Sequence, residues 1–360
     1  TDSWSITEAT PATNTTNSTI GPNQPGSDRG SVFSNSILDL DSGSPVLVMS
    51  NGSLVTFSAV TSNGSTSSVA DFTEDEVISK AGQCAILENR TLRCRGVNNY
   101  GQLGLGSTSL LNGTVEFGNN IPVAVSNGNT HTCAILDDAS LKCWGRNNHG
   151  QLGDGSNSNR NSPVDVDLGD NRTAVSVSAG KDFTCALLNT GDVKCWGYNG
   201  FGTLADGTTS DSNTPVIANH STGMRAVSLV TPGYSVCSIF ENGSVYCWGR
   251  TYTVSSENGA VTNGSVNIPF STGRTAYSID GTYWHTCAIL DNGSMNCWGV
   301  NTHGQWGDGS CSSAISSSGC TGEDGNVPVH VSIGGPVLAI ATGEESTCAI
   351  VQNYSLACWG

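Results

Sequence analysis

Residues 128–155 read GNTHTCAILDDASLKCWGRNNHGQLGDG, and this stretch decides the fold because the chain repeats it. A nearly complete second copy occupies residues 281–309. In both copies nine residues separate two cysteines, and the second cysteine begins the tripeptide Cys-Trp-Gly. A fixed motif that recurs about every 50 residues is typical of a repeat architecture. The cysteine spacing occurs six times, at Cys84/Cys94, Cys133/Cys143, Cys185/Cys195, Cys237/Cys247, Cys287/Cys297 and Cys348/Cys358.

A seventh copy lacks the cysteines. Residues 46–57, VLVMSNGSLVTF, align column by column with residues 287–298, CAILDNGSMNCW. Val46 and Thr56 replace the two cysteines, and Phe57 replaces the tryptophan. The sequence therefore predicts seven copies of one supersecondary unit.

Each copy is predicted to contain a β-hairpin, because runs of aliphatic residues flank a turn such as Asp291-Asn292-Gly293. Cysteines ten positions apart can face each other only across a three-residue connection, which needs a left-handed residue at its end. Gly243 and Gly293 stand at that position, and Gly52 does so in the first copy. Opposed cysteines on neighbouring strands are close enough for a disulfide.

The rest of each unit adds strands and no helix. A glycine-dense polar segment such as residues 147–155 is typical of a loop. Short apolar runs such as residues 174–180 then predict another strand. Units of about four strands that repeat in this way close radially into a β-propeller.

The motif Gly-x-x-His-Thr-Cys-Ala-Ile-Leu, Cys-Trp-Gly-x-Asn-x-x-Gly-Gln-Leu-Gly-Asp-Gly resembles the repeat of the regulator of chromosome condensation family. The resemblance is fullest at residues 128–155 and 281–309 and covers residues 34–360. It implies an all-β, seven-bladed propeller, preceded by an extended Ser/Thr/Asn/Pro-rich arm at residues 1–33. The paired cysteines are most similar to the extracellular branch of the family, which includes ectodomains of Crinkly-type receptor kinases.

Cysteine usage predicts an oxidising compartment. The fourteen cysteines pair most simply as six hairpin disulfides plus Cys311–Cys320. Zinc is the alternative, but the spacing does not bring four ligands together at short intervals. In the chain-entropy model each small loop contributes about 2.5–3 kcal/mol of stability. An extracellular, secreted or cell-surface location follows.

Charge and hydropathy exclude several classes of partner. The chain carries 14 basic and 30 acidic residues, for a net charge of −16. Nucleic acid needs clustered Lys and Arg, so we expect no nucleic-acid partner, which departs from the family's nuclear namesake. No apolar run is long enough to span a membrane within this chain. The absence of an initiator Met or signal peptide predicts that Thr1 begins a processed polypeptide.

Twelve Asn-x-Ser/Thr sequons predict N-linked glycans. Five sequons share one column of the repeat, at the hairpin turn, where Asp138 and Thr190 stand in the other two repeats. Asn-Gly-Ser is also good turn chemistry by itself. Asn89 and Asn353 favour glycosylation, because both lack the Gly and keep the acceptor triplet. The sequons are Asn14, Asn17, Asn51, Asn63, Asn89, Asn112, Asn171, Asn219, Asn242, Asn263, Asn292 and Asn353.

The remaining polar and aromatic columns predict structural roles. We expect the tryptophans of Cys-Trp-Gly to pack between blades, and Asp154, Asp206 and Asp308 to accept backbone N–H bonds. A loop at residues 308–326 could hold calcium, although its ligand spacing matches no known loop. No nucleophile–base set or phosphate loop is recognisable, so we predict no enzyme activity, no catalytic residue, no cofactor and no metal. His131 and His285 share one column, and His149 and His303 share another.

The two ends of the chain suggest how copies could associate. The last hairpin ends at Gly360, and a strand from residues 31–40 could complete its blade. Residues 1–30 then remain free, and their composition cannot bury enough apolar surface to fold alone. We predict that this arm, which O-linked sugars could also modify, packs on an adjacent copy through Trp4 and Ile6. The main functional hypothesis is a structural subunit of an extracellular polymer, with a recognition module (receptor ectodomain or soluble protein- or glycan-binding propeller) as the alternative.

Overall fold

The computed structural model describes residues 83–360 except 88, 221–222, 252–259, 272, 311–324, 344 and 354. Upstream of residue 83 it describes the backbone of five strands only. Within this part of the chain all regular elements are β-strands. None of the described residues forms a helix that could cross a bilayer.

The strands form seven antiparallel sheets. In chain order they are β1 (Trp4–Ile6), β2 (Leu38–Asp39), β3 (Val46–Val48), β4 (Leu54–Ala59), β5 (Val77–Ala81), β6 (Cys84–Leu87), β7 (Leu92–Arg95), β8 (Asn112–Val115), β9 (Pro122–Asn127), β10 (His131–Leu136), β11 (Leu141–Gly145), β12 (Arg160–Asp165), β13 (Ala174–Ala179), β14 (Phe183–Leu188), β15 (Val193–Gly197), β16 (Ser212–Ile217), β17 (Ala226–Val230), β18 (Ser235–Phe240), β19 (Val245–Thr251), β20 (Ala260–Ile268), β21 (Ala276–Gly281), β22 (His285–Leu290), β23 (Met295–Gly299), β24 (Gly325–Val331), β25 (Val337–Thr342), β26 (Thr347–Val351) and β27 (Leu356–Trp359).

Five sheets are four-stranded meanders in chain order, from β5–β8 to β21–β24. The first sheet has the order β2-β3-β4-β1, and the last sheet contains β25, β26 and β27. This all-β arrangement of one small antiparallel sheet per repeat is that of a propeller.

One expectation about the N-terminal segment is corrected by these pairings, and a second stays a prediction. The prediction that residues 31–40 complete the last blade is wrong for Leu38–Asp39, which pairs with Val46 and Leu47 in the first sheet. Pairing with the next strand along the chain closes the shortest loop and costs the least entropy. Trp4 and Ile6 were expected to pack on an adjacent copy; within this chain the Trp4–Ile6 strand pairs with β4, and contact with a second copy stays a prediction. The free edge of β4 satisfies the backbone groups of this segment.

The hairpin prediction is confirmed in register and in turn geometry. Cys287 lies directly opposite Cys297, and a three-residue loop joins their strands. The loop closes with a 2.8 Å hydrogen bond from the Gly293 N–H to the Leu290 carbonyl. Gly293 adopts φ 78°, and Arg90 and Ala139 adopt similar values of 64° and 63° without being glycine. The turn is therefore imposed by the whole hairpin and not by glycine alone.

All six predicted hairpin disulfides are present: Cys84–Cys94, Cys133–Cys143, Cys185–Cys195, Cys237–Cys247, Cys287–Cys297 and Cys348–Cys358. Cys311 and Cys320 lie outside the described residues. Reducing compartments do not maintain such bonds, so the six disulfides indicate an oxidising environment of the extracellular type.

The core lies between neighbouring sheets, and the tryptophan column builds it. Trp196 is fully buried and its Nε1 donates a 2.9 Å hydrogen bond to the Gln151 carbonyl of the preceding repeat. Trp144, Trp248 and Trp359 make the equivalent bond to Gln102, Thr203 and Gln305. The predicted packing role of this column is confirmed. Since these four tryptophans bond to the loop of the previous repeat, they hold neighbouring sheets in register.

Buried asparagines make the glycine-dense loops rigid. The Asn147 amide donates to the Ser156 and Ser158 carbonyls and accepts from the Leu152 N–H. Asn199 makes the same set of contacts in the next repeat. Asp154, Asp206 and Asp308 each accept a backbone N–H bond two residues later, as predicted. These loops therefore form a firm platform on one side of the sheets.

Candidate functional site

The two ends of each hairpin lie on opposite faces of the propeller. We call one side the turn face, which carries the connections between the second and third strands of each repeat. The other side, the loop face, carries the connections between the first and second strands and between the third and fourth. Strands β10 and β11 illustrate the separation, because their turn follows Leu136 while His131 pairs with Gly145 at the other end. The two faces therefore present entirely different parts of the repeat.

The turn face carries four exposed sequons with the same local geometry. The side-chain oxygen of Asn292 accepts bonds from the Ser294 N–H and hydroxyl, at 3.0 and 2.7 Å. Asn89, Asn242 and Asn353 make the equivalent pair of bonds to their own Ser or Thr. Among the described residues, none of these four Nδ2 atoms donates a hydrogen bond. The amide nitrogen that a glycan would modify is thus exposed and available in all four turns.

The remaining sequons distribute unevenly. Asn171 and Asn219 are exposed and lie near the turn face, since the adjoining strands end beside the hairpin turn of their sheet. Asn112 is exposed at the opposite end of its strand, where it pairs with Arg95. Asn263 lies within β20, where only the backbone is described. Asn14, Asn17, Asn51 and Asn63 lie outside the described residues.

The loop face carries a line of contacting rings that crosses four successive sheets. Centroid distances between neighbouring rings run from 4.4 Å, for Tyr283 and Trp284, to 6.3 Å, for Tyr234 and Tyr283. Offset and edge-on pairs at such distances attract each other beyond their area burial. The side chains are partly buried except Trp284, which is 37% exposed. We call this group the aromatic row: His149, Tyr198, Phe201, Tyr234, Tyr283 and Trp284.

Cationic side chains lie over the rings of the loop face. Lys181 Nζ is 5.2 Å from the centre of the Tyr234 ring and 4.9 Å from that of Tyr283. The Arg250 guanidinium is 5.1 Å from the Phe201 ring. Arg146 lies 5.1 Å from the Tyr100 ring, beside the row. A cation over an aromatic face is attracted by the ring quadrupole. The row therefore holds positive charge on a chain that is otherwise strongly acidic.

Asp182 is a buried carboxylate beside the aromatic row. It is only 7% exposed, and its Oδ2 accepts a 3.1 Å hydrogen bond from the Tyr234 hydroxyl. Its Oδ1 lies 3.9 Å from an Arg146 nitrogen and accepts no hydrogen bond among the described residues. Burial, followed by the charge of Asp182, raises the pKa of Tyr234 well above its usual value. The Tyr234 hydroxyl therefore stays a hydrogen-bond donor at any physiological pH.

The histidine columns separate into two roles. His131 and His285 are buried, and each Nε2 lies 2.8 or 2.7 Å from a threonine hydroxyl of the next repeat, Thr184 or Thr347. Burial lowers the pKa of both histidines to about 4, so both are neutral at physiological pH. This confirms a structural role for that column. His149 instead lies at the surface, paired with Asp211 at 2.7 Å and in contact with Tyr198.

Among the described residues, no group of three or more His, Cys, Asp and Glu side chains could hold a metal ion. The calcium alternative concerned residues 308–326, most of which are not described. The absence of a metal, a cofactor and an activity stays a prediction.

Reasoning from repeat columns missed the aromatic row. In the quoted repeat Asn129 and Thr130 precede His131, whereas Tyr283 and Trp284 precede His285 in the copy at residues 281–309. The signal was present as a departure between two otherwise similar copies. Exposed positions at which a repeat departs towards aromatic residues are candidates for binding.

Comparison with known families agrees with the motif. A model of the regulator of chromosome condensation (RCC1) repeat matches residues 141–187, and a second RCC1 model matches residues 123–151, 174–203 and 278–305. The chain therefore contains RCC1 repeats at these residues. The matches include three of the Cys-Trp-Gly tripeptides, at residues 143–145, 195–197 and 297–299.

Individual relatives align with part of this chain. The ultraviolet-B receptor UVR8 of Arabidopsis thaliana is 36% identical over 93 residues, 25% of this chain and 21% of that protein. The chain thus spans about a fifth of the length of the curated relatives it matches. Yeast RCC1 (Prp20), solved bound to Kap60, aligns with a TM-score of 0.68 at 15% identity, covering 96% of this chain and 86% of that one. The likeness to Prp20 shows the fold alone.

The ectodomain of the Physcomitrella patens receptor kinase CR4 also aligns with this chain. Its TM-score is 0.47 at 21% identity, covering 77% of this chain and 60% of that one.

Proposed function

We propose that this chain is a non-enzymatic extracellular recognition module. It binds a partner macromolecule through its loop face and carries N-linked glycans on its turn face. The aromatic row, with its associated cations, is the observation that carries the proposal.

The composition of the loop face supports binding. Energetic hot spots of protein interfaces are enriched in Trp, Tyr and Arg, and the row with its neighbours contains Trp284, three tyrosines and Arg250. These residues are not required by the repeat, because other copies fill the same columns with small polar residues such as Asn129 and Thr130. Residues that the fold does not need, gathered on one face, are best explained by a partner.

The positions of the sequons also support separate roles for the two faces. Six of the described sequons lie on or near the turn face, and only Asn112 points to the other end of its strand with a described side chain. Glycans there would shield the hairpin tips and leave the loop face open. A partner is therefore directed to the aromatic row.

A closed ring is part of the proposal. Strand β2 of the first sheet lies against β25 of the last sheet, and β3 lies against β5 of the second. The first sheet thus contacts both of its expected neighbours, which supports closure into seven blades. A closed ring holds the loops of successive repeats at fixed positions, so a partner can contact several of them at once.

The filament hypothesis has no comparable support. It depends on residues 1–33, of which the structure describes only Trp4–Ile6, and that strand pairs within its own chain. Assembly of copies through the arm stays a prediction.

The proposal is tested by screening the multimerised chain against arrayed extracellular proteins and glycans, and then measuring affinities of variants for each binder. We expect Trp284→Ala to weaken binding at least about tenfold, the equivalent of 1.4 kcal/mol. The matched control is Tyr277→Ala, since Tyr277 is an exposed aromatic residue of β21 that lies outside the aromatic row. Binding that tolerates Trp284→Ala and is lost in Tyr277→Ala would contradict the proposed face.

A further inference from the structure

We infer that the loop face recognises an acidic peptide segment of a partner protein, and that Lys181 binds a carboxylate of that segment. This inference rests on the proposed function and names the chemistry of the partner.

Lys181 is a partly exposed cation that has no counter-ion among the residues the structure describes. Its ammonium lies over Tyr234 and Tyr283, and no carboxylate pairs with it among the described residues. Other basic side chains of this acidic chain do have such partners: Lys142 with Asp165, Arg160 with Asp154, Arg172 with Asp192 and Arg274 with Asp291. The two rings hold the Lys181 ammonium in place, so an incoming anion would meet a positioned charge at a reduced entropy cost.

The charges around Lys181 favour an anionic group. Lys181, Arg146 and Arg250 surround the row, and two carboxylates bond to it, Asp182 through Tyr234 and Asp211 through His149. These five side chains carry a formal charge of +1 (three cations minus two anions, with His149 neutral), whereas the whole chain carries −16. Complementary charge at an interface steers association and selects the partner.

Asp182 gives a second, independent indication of a ligand. Its side chain is nine-tenths buried, and its Oδ1, which lies 3.9 Å from an Arg146 nitrogen, accepts no hydrogen bond among the described residues. A buried acceptor without a donor costs about 1–3 kcal/mol. A backbone N–H of an extended ligand would satisfy this oxygen while a nearby ligand carboxylate reaches Lys181. Alternating N–H donors and acidic side chains are what a peptide supplies.

The same features disfavour a polyanion. A chain of net charge −16 repels a ligand with many closely spaced charges, and the row offers one lysine between rings and not a basic stripe. The rings on both sides of Lys181 instead suit aromatic or aliphatic side chains that flank a single carboxylate. The predicted occupant is therefore an acidic segment that also contains apolar residues.

The experiment uses an immobilised random copolymer of glutamate and tyrosine as the probe. Polyglutamate and the acidic glycan hyaluronan serve as comparison ligands. Lys181→Met should lower affinity for the copolymer at least tenfold, and Lys181→Arg should retain most of it. The matched control is Lys142→Met, which changes net charge equally but lies on β11 beside Asp165, away from the row. Affinity should fall as salt rises, and all variants should match the parent in melting temperature and disulfide content.

Each other outcome has a defined meaning. Equal affinity of Lys181→Met and Lys142→Met for the copolymer overturns the inference. Equally tight binding of hyaluronan overturns it in favour of an acidic glycan, and self-association that Lys181→Met abolishes overturns it in favour of a second copy. If Trp284→Ala loses binders that Lys181→Met keeps, the proposed face stands and the acidic-segment inference fails. If neither substitution affects any binder, the proposed function fails as well.

Discussion

The turn face and the loop face are built from the same repeats, but the local geometry is repeated on the turn face and the residues vary on the loop face. On the turn face each described hairpin has a backbone N–H that donates to the side chain two residues earlier, whether the acceptor is Asn292, Asp138 or Thr190. On the loop face the residues before the second strand change from Asn129 and Thr130 to Lys181 and Asp182, and then to Tyr283 and Trp284. Repetition therefore marks the scaffold, and departure from repetition marks the surface for which we propose a partner.

The two faces also differ in the sequence separation of the residues that contact each other. The turn bonds join residues two apart, such as Ser294 to Asn292. Beneath the loop face the contacts cross between repeats, as from Trp196 to Gln151 and from His131 to Thr184. We therefore expect changes beneath the loop face to affect the stability of the whole domain, and changes on the turn face to remain local.

The largest expected effect is the pH dependence caused by His131. Burial lowers its pKa to about 4, from 6.5 in an unfolded chain. Between pH 6.5 and about pH 4, the imidazole is protonated in the unfolded state but stays neutral in the folded state. The free energy of unfolding therefore decreases as the pH falls through this range. The shift corresponds to about 3 kcal/mol. His131→Gln should remove the part of this slope that His131 causes and leave the part caused by His285, whose pKa is also lowered to about 4. The free energy of unfolding at several pH values, with disulfides intact, measures the change.

The control for His131 is His330→Gln, because His330 is exposed on β24. Its pH profile should parallel that of the parent protein. If His131→Gln keeps the full acid sensitivity of the parent, the buried contact with Thr184 does not keep the imidazole neutral. The proposed difference between local contacts on the turn face and contacts between repeats beneath the loop face would then be weaker.

A second prediction concerns the glycines beneath the loop face. A Cβ added at Gly153 would lie 2.8 Å from Trp196 Nε1, whereas a Cβ at Gly155 would meet no atom within 4 Å. Both glycines have positive φ, 71° and 76°, so the backbone strain of an alanine is matched. Gly153→Ala should therefore destabilise by about 2 kcal/mol more than Gly155→Ala, because the indole must shift. Thermal unfolding of the pair measures the difference.

Equal melting temperatures for the two alanine variants would contradict this reading. In that case Trp196 could move without loss, and the lock between neighbouring repeats would be looser than its hydrogen bond to Gln151 indicates.

The hairpin register and the packing of the tryptophan column could both be predicted from the sequence. The ten-residue offset of Cys133 and Cys143 predicted hairpin register and disulfide together, because parity alone fixes which residues face each other. The Trp196 column was predictable as packing because it recurs with a fixed neighbour. Both predictions rest on local, repeated geometry.

The pairing of β2 and the aromatic row could not be predicted, because both depend on contacts that the repeat motif does not specify. Leu38–Asp39 is a two-residue strand whose partner is decided by chain proximity, and the sequence has no periodic signal of that length. The aromatic row joins residues far apart in sequence, such as Phe201 and Tyr234, through loops from different sheets. Only the arrangement of neighbouring repeats brings those rings together.

The smallest expected effect lies on the turn face, at Asn292. Asn292→Asp removes the glycan acceptor nitrogen and keeps the oxygen that accepts from Ser294, and Asp138 already performs this role in another repeat. Stability of the polypeptide should change by no more than about 0.5 kcal/mol. The mass of the secreted protein should fall by one glycan, and binding by the loop face should be unchanged.

The control at this turn is Ser294→Ala, which also removes the sequon but deletes the hydroxyl that donates to Asn292. It should lose the same glycan mass and slightly more stability than Asn292→Asp, because only the backbone N–H bond of the turn remains. An unchanged mass in both variants would show that Asn292 carries no sugar and that the shared turn column is turn chemistry alone. A loss of partner binding in Asn292→Asp would instead show that the two faces are not independent, since that substitution leaves every described contact of the loop face in place.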